Sequence, residues 1–322
     1  MDKILYVIIL AVCVFLAFVL GASVVLKYVS ELAEKMKPVT PPPPAEVVPT
    51  KASLKLIFFD KLAGGTVANL QVEVFDAESK VRLFTAYTNE NGIVTSPFAL
   101  NRDKEYIVRV TNLTYFYADT IKITKEDYSK SEDMFVKAIY ITKFGDVECR
   151  LLDPSYTKLT ETTPSSRSAT CSYNVTVSGD NTPEFKLMIK NPVLNTEFRA
   201  VKDPLTGREY KTVIVLTINA PVSLIKTSLP HTTLYESNTK SVIAIEIPYE
   251  QLKSYKDPST GKEIYNEITV TFELDCKGLS TGNSANVIVE FISLADLDYY
   301  KENLSWNSEA QVLSQITLTI QA

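Results

Sequence analysis

Apolar and polar positions follow two different patterns along this chain. Residues 4–26 form one run of twenty-three residues without a charge, ILYVIILAVCVFLAFVLGASVVL. From residue 51 onward, short stretches alternate apolar with polar residues between turn residues, as in LQVEVFD, EYIVRV and EITVTFELD. The first pattern predicts a helix, and the second predicts β-strands that bury one face.

The apolar run has the length of a membrane span. At about 1.5 Å per residue, a helix of this length crosses a hydrocarbon core of about 30 Å. We therefore predict a single transmembrane helix over residues 4–26, extended beyond the lipid to residue 37. A cleaved signal peptide is one alternative, although its apolar core usually spans only about 7–15 residues. A pilin-like helix that packs in a filament core is another.

The orientation of this anchor rests on opposing indications. One lysine precedes the run and three lie within residues 27–37, a count that favours a cytoplasmic carboxyl-terminal side. Glycosylation sequons and a candidate disulfide favour the opposite orientation. The sequon asparagines are Asn112, Asn174 and Asn303. We predict that the domains after the anchor are extracytoplasmic and that the chain is a single-pass membrane glycoprotein.

A proline-rich linker follows the anchor over residues 38–50. Its four consecutive prolines exclude helix and sheet and favour polyproline II, a stiff and extended form. We interpret this linker as a spacer that lifts the rest of the chain off the membrane.

Residues 51–130 are predicted to form a first β-sandwich. The phrases GGTVANLQVEVFD, FTAYTNENGIVTSP and EYIVRV occur there in that order. The segment resembles the carboxypeptidase-regulatory-like and collagen-adhesin B-type domains over about 75 residues. This resemblance implies a transthyretin-like or immunoglobulin-like sandwich that serves as a stalk, spacer or adhesion module. The dipeptide Asn91-Gly92 is expected to supply a tight turn where a positive φ is needed.

Residues 131–322 hold eight further strand candidates, from FVKAIYIT to QITLTIQA. They predict a larger antiparallel sandwich, jelly-roll-like, or two immunoglobulin-like modules. A short helix is expected over 294–300, capped by Ser293 with Asp296. The whole chain is thus predicted to be mainly β, with one amino-terminal transmembrane helix.

One motif occurs twice in the second region. KDPLTGREY starts at Lys202 and KDPSTGKEIY starts at Lys256. In each, the proline presets φ and the glycine takes the left-handed conformation, which predicts a hairpin turn. A duplicated ligand loop is the alternative. The turn residues are Asp203, Pro204, Gly207, Asp257, Pro258 and Gly261.

The chain has four cysteines. Cys13 lies in the apolar run, while Cys149 and Cys171 flank a polar loop. A disulfide between these two would close a loop of about 20 residues and could contribute about 3 kcal/mol. Two free thiols are the alternative. If the disulfide forms, Cys276 is unpaired; a third arrangement pairs Cys276 with Cys149 or Cys171 instead.

Composition excludes several functions. The net charge of −5 and the absence of a basic block argue against a nucleic-acid partner. His231 is the only histidine, and the chain lacks the nucleophile, zinc, phosphate-loop and dinucleotide motifs. We therefore predict no catalytic residue, no metal, no cofactor and no enzymatic activity.

These features predict a membrane-anchored surface structural protein whose β-sandwiches mediate assembly or adhesion. The setting is a cell envelope or the spike or pillar of a virion. The expected partners are the lipid membrane through residues 4–26, other envelope or virion proteins, and further copies of the chain. A carbohydrate- or peptide-binding surface module and a pilin-like filament subunit are the alternatives.

Overall fold

The computed structural model divides into two compact units, residues 1–48 and 49–322. For residues 157–162 and residue 169, the structure describes only the backbone. The described residues are 18–19, 21–27, 30–31, 48–112, 114–152, 157–162, 169–177 and 182–322.

In the first unit, residues 21–27 are helical. No helix within the described part of the chain is both long and apolar enough to cross a membrane. The predicted span over 4–26 lies for its greater part outside the described residues, as does most of the predicted linker over 38–50.

The second unit begins with a sandwich of two sheets. One sheet has the strand order β4-β1-β9-β8, with β5 also on β1, and the other has the order β3-β2-β6-β7. A 3-10 turn, Lys125–Asp127, precedes β8. The strands are β1 (Lys51–Asp60), β2 (Gln71–Asp76), β3 (Arg82–Tyr87), β4 (Ile93–Thr95), β5 (Leu100–Asn101), β6 (Glu105–Thr111), β7 (Phe116–Lys122), β8 (Tyr128–Ser129) and β9 (Met134–Ile141).

Alternation of apolar residues places one face of each main strand in this core. Leu54, Leu56 and Phe58 of β1 are fully buried, and so are the alternate positions of β2 and β6. The turn before β4 needs a glycine, because Gly92 has φ +70 and a Cβ there would lie 2.8 Å from Thr66 Cβ. The prediction of a mainly β fold is confirmed.

Strand β9 belongs to the first sandwich, whereas the sequence pattern predicts it as part of the second region, residues 131–322. It pairs with β1 in parallel along its whole length, from Ser53 opposite Met134 to Asp60 opposite Ile141. The expected boundary at residue 130 therefore falls before the last strand of this sandwich. Local alternation reveals that a strand exists, but it does not reveal which distant strand is its partner.

The remainder of the chain forms one larger sandwich. A sheet in the order β12-β13-β25-β24-β17-β20-β19, with β16 on β17, faces the sheet β11-β14-β23-β18, and β10-β15-β21-β22 form a small third sheet. A 3-10 turn, Tyr249–Gln251, precedes β21. The strands are β10 (Lys143–Phe144), β11 (Glu148–Leu151), β12 (Thr157–Thr162), β13 (Ala169–Thr176), β14 (Glu184–Lys190), β15 (Thr196–Glu197), β16 (Val201–Lys202), β17 (Glu209–Asn219), β18 (Ser223–Thr227), β19 (His231–Glu236), β20 (Lys240–Glu246), β21 (Ser254–Lys256), β22 (Glu263–Tyr265), β23 (Glu267–Asp275), β24 (Ser284–Ala295) and β25 (Gln311–Gln321).

The last strand is central to this sandwich. β25 pairs antiparallel with β24 and parallel with β13, so the end of the described chain is held between two strands.

The core between the sheets is rich in aromatic residues. Phe185 and Phe272 stack with ring centroids 5.2 Å apart, and both are buried.

One helix, Leu297–Asn303, lies between β24 and β25. Its N-cap is Asp296, whose Oδ1 accepts a hydrogen bond of 2.9 Å from the Tyr299 N–H. The predicted helix over 294–300 thus starts three residues too early, because β24 continues through Ser293 to Ala295. The helix covers a second, smaller apolar cluster on the outer face of the large sheet.

Candidate functional site

The two sandwiches share a hydrophobic core at their junction. Phe116 of β7 is fully buried, and it belongs to the same apolar cluster as the interior of the larger sandwich. Its ring meets Tyr210 of β17 edge-on, with centroids 5.6 Å apart. Burying an aromatic side chain of one sandwich in the core of the other resists separation of the two.

A charged group on β6 reaches across the same junction. Arg109 donates from Nη2 to Glu309 Oε1 at 2.8 Å, and its Nε lies 3.8 Å from Asp203 Oδ2. Asp203 is fully buried, and the Arg109 side chain is 16% exposed. Burial by itself raises the pKa of Glu309, but hydrogen bonds from Ser308, Asn307 and Arg109 outweigh it and hold that pKa below its usual value.

Two further contacts fix the relative orientation of the sandwiches. Arg199 donates to the carbonyl oxygen of Phe116, and its guanidinium lies 5.3 Å from the ring centroid of Phe144. Burial lowers the pKa of Arg199 from its usual value. Lys80, in the turn between β2 and β3, donates to the Pro204 carbonyl at 2.9 Å.

The junction continues into a network around Asn307. Its amide donates to the Leu294 carbonyl at 3.0 Å, and its Oδ1 accepts the Asp296 N–H at 2.9 Å. Asp296 in turn accepts from Arg208 at 3.2 Å, and Arg208 also pairs with Glu302 at 3.0 Å. These paired charges line a cavity of about 550 Å³ beside the first repeated turn.

Both repeated turns have the same backbone. Gly207 donates its N–H to the Asp203 carbonyl at 2.7 Å, and Gly261 donates to the Asp257 carbonyl at 2.8 Å. The φ angles of the two glycines are +73 and +69. The first turn, after Pro204, packs against the smaller sandwich, while the second, after Pro258, is exposed to solvent.

The predicted disulfide is not formed in the structure, where Cys149 and Cys171 are free thiols. Each occupies a strand position opposite an isoleucine, Ile189 for Cys149 and Ile316 for Cys171. They thus act as small apolar side chains in opposing sheets. Burial raises the pKa of Cys149 to about 12, so this thiol stays protonated at neutral pH.

The three sequon asparagines lie in different settings. Asn112 is exposed, and its Oδ1 accepts N–H groups from Thr114 and Tyr115 at 2.8 and 2.6 Å. Asn303 ends the helix and is exposed, whereas Asn174 is part-buried in β13, which is paired on both sides. Glycosylation at these positions stays a prediction.

His231 is exposed on β19, with its Nδ1 3.5 Å from Thr227 Oγ1. Among the described residues, no group of three or more His, Cys, Asp or Glu side chains could hold a metal ion.

The junction residues were not singled out by their sequence. Arg109 stands in the alternating strand EYIVRV at a position that normally faces solvent. Phe116 is one of fourteen phenylalanines, and nothing nearby marks it as shared between two cores. The only signal was the motif after Lys202, which contains Asp203.

No family model matches this chain. No curated protein matches it either.

Among solved structures, the chain is similar to several pilins, including the following three. The first is BcpA, the major pilin subunit of Bacillus cereus, at 8% identity and TM-score 0.34, covering 84% of this chain and 69% of that one. The second is the full-length major pilin SpaD from Corynebacterium diphtheriae, at 11% identity and TM-score 0.31, covering 87% and 66%. The third is the T6 backbone pilin of serotype M6 Streptococcus pyogenes, at 8% identity and TM-score 0.36, covering 85% and 65%. Identities and TM-scores this low carry no argument about function.

Proposed function

We propose that this chain is a non-enzymatic structural protein of a surface, in which two β-sandwiches form one rigid rod for assembly or adhesion. The observation that carries the proposal is the junction. Phe116 is buried in the core of the larger sandwich, and Arg109 pairs with Asp203 and Glu309 across the boundary. Domains connected only by a linker move independently, whereas a shared core transmits orientation and force.

The remaining parts of the proposal come from the sequence. The apolar run over residues 4–26 would anchor the rod in a membrane, and the proline-rich linker over 38–50 would raise it. The rod would then extend outward and meet neighbouring proteins, including copies of itself. A pilin-like filament subunit is a second form of the same proposal, in which the apolar runs of several copies pack together.

The test uses the native protein on sealed membranes or particles. We expect the intact mass to include residues 1–26, and we expect added protease to digest the sandwiches from outside. Electron microscopy with an antibody against the larger sandwich separates the two forms, since a filament subunit labels continuous fibres and an anchored rod labels the envelope. Sandwiches that are protected from protease would overturn the surface proposal.

A further inference from the structure

A groove opens on the outer face of the large sheet, beside the helix Leu297–Asn303. Its volume is about 370 Å³, which is within the range of sites for small ligands. It lies between the β19–β20 turn and the end of the helix, away from the junction. The lining residues are Tyr235, Ser237, Thr239, Lys240, Tyr300 and Leu304.

Two tyrosine rings wall this groove, and both are held in place. Tyr300 packs against Trp306 with ring centroids 4.4 Å apart, and both rings rest on the smaller apolar cluster. Tyr235 packs on the same cluster, and the Nζ of Lys240 lies 5.8 Å from its ring centroid. Both tyrosines are part-buried, so their rings are already restrained. A ligand that packs against them therefore causes little further loss of side-chain entropy.

A carboxylate without a partner lies close to Tyr300. Glu290 of β24 stands opposite Val215 on one side and Gln315 on the other. Within the described part of the chain, its side chain makes no hydrogen bond or ion pair, and burial raises its pKa above the usual value. A part-buried carboxylate has lost part of its hydration, so a ligand hydroxyl that donates a hydrogen bond to it replaces an incomplete water shell.

Lys240 and Glu290 are too far apart to pair with each other. Lys240 of β20 stands opposite Asn219 of β17, and Glu290 of β24 stands opposite Val215, four residues away on β17. Because β20 and β24 flank β17, two strand spacings also lie between Lys240 and Glu290. Strand geometry then separates their Cα atoms by about 16 Å. The groove thus has a cationic donor, Lys240, in its lining. Glu290 lies outside that lining, beside Tyr300, where a ligand longer than the groove would meet an anionic acceptor.

We propose that this groove binds a neutral oligosaccharide, with a sugar ring against Tyr235 and Tyr300 and hydroxyl groups bonded to Lys240 and Glu290. A sugar has apolar ring faces and hydroxyls that both donate and accept, which matches this combination. An anionic ligand is repelled at Glu290 and a cationic ligand at Lys240. The inference does not depend on the proposed structural function.

The full-length chain in detergent micelles is titrated with cellohexaose, maltohexaose or mannohexaose, and binding is measured by isothermal titration calorimetry. We expect saturable binding of at least one of them, and at least tenfold weaker binding by Tyr235→Ala. Tyr235→Phe keeps the ring and is expected to bind within a few fold of the unmodified chain. Tyr87→Ala, at a 65% exposed tyrosine of the smaller sandwich, is the matched control and should leave affinity unchanged.

Several results would overturn the inference: no saturable binding of any of the three up to millimolar concentrations, wild-type affinity in Tyr235→Ala, or an equal loss in Tyr87→Ala. If Tyr235→Ala has a lowered melting temperature, Glu290→Gln replaces it as the test. That variant keeps the side-chain size and is expected to bind the same sugar at least several-fold more weakly, and unchanged affinity would count against the proposal.

Discussion

The two repeated turns, residues 203–208 and 257–262, start from nearly the same sequence and reach the same backbone. In each, an aspartate Oδ1 accepts the N–H two residues on, from Leu205 at 2.9 Å and from Ser259 at 2.8 Å. In each, the threonine hydroxyl accepts the N–H two residues later at 3.3 Å. The local sequence is therefore sufficient for the turn itself.

The two turns differ in the contacts of the other aspartate oxygen, Oδ2. Asp257 Oδ2 accepts from the Thr260 hydroxyl at 2.9 Å, and Asp257 is half-buried at the start of an exposed turn. Asp203 Oδ2 has no hydrogen-bond partner among the described residues and faces Arg109 Nε at 3.8 Å in a fully buried position. Asp257 thus serves only its local turn, whereas Asp203 serves its turn through Oδ1 and a contact between the two sandwiches through Oδ2.

The largest expected effect comes from replacing the two aspartates. Asp203→Ala leaves Arg109 buried with one anionic neighbour fewer, and we expect the free energy of unfolding to fall by about 3 kcal/mol. Asp257→Ala removes only hydrogen bonds of an exposed turn and should have a much smaller effect. Urea denaturation of both variants measures the difference. Equal losses would mean that the buried charge contributes nothing beyond the turn.

The two glycines are expected to behave alike. A Cβ at Gly207 or at Gly261 would meet no atom within 4 Å, so only the positive φ opposes a side chain. Gly207→Ala and Gly261→Ala should each reduce the free energy of unfolding by about 1 kcal/mol. Thermal denaturation of the pair provides the comparison. A markedly larger loss at Gly207 would indicate that the junction, and not the turn, limits that position.

A smaller effect is expected at Lys80, which contacts the first turn from the other sandwich. Lys80→Met removes its hydrogen bond to the Pro204 carbonyl and should reduce the free energy of unfolding by about 0.5 kcal/mol or less. Lys262→Met, in the exposed turn, is the matched control and should change nothing measurable. A loss shared by both variants would show that general surface charge is responsible.

The smallest effect concerns the titration of the exposed turn. Hydrogen bonds from the Ser259 hydroxyl and N–H and from the Thr260 hydroxyl lower the pKa of Asp257 to about 2. Because this value lies below the usual 3.8, the contribution of the carboxylate to stability is present above about pH 4 and is lost as the pH falls through about 2. NMR titration should give this midpoint, and Ser259→Ala should raise it. A midpoint near 3.8 in the unmodified chain would contradict the observed hydrogen bonds.

Much of the fold could be predicted from periodicity. The alternation in EYIVRV placed Tyr106, Val108 and Val110 on one face, and all three are buried. The short strands β15, β16, β21 and β22 were not predicted, because two or three residues show no clear alternation. The outcome for Cys149 and Cys171 also depended on context, since a polar loop between two cysteines suits either a disulfide or two thiols.

By itself, the sequence determined that the long alternating segments become strands, where turns need a positive φ, and how the two D-P-x-T-G motifs fold. These properties depend on side-chain periodicity and on backbone conformations within a few residues. Only the tertiary structure decided that β9 pairs with β1, that Phe116 enters the core of the larger sandwich, and that Asp203 faces Arg109 while Asp257 bonds only within its own turn. Those outcomes bring together residues far apart in the chain. The sequence pattern around such a residue does not specify which distant residue it will contact.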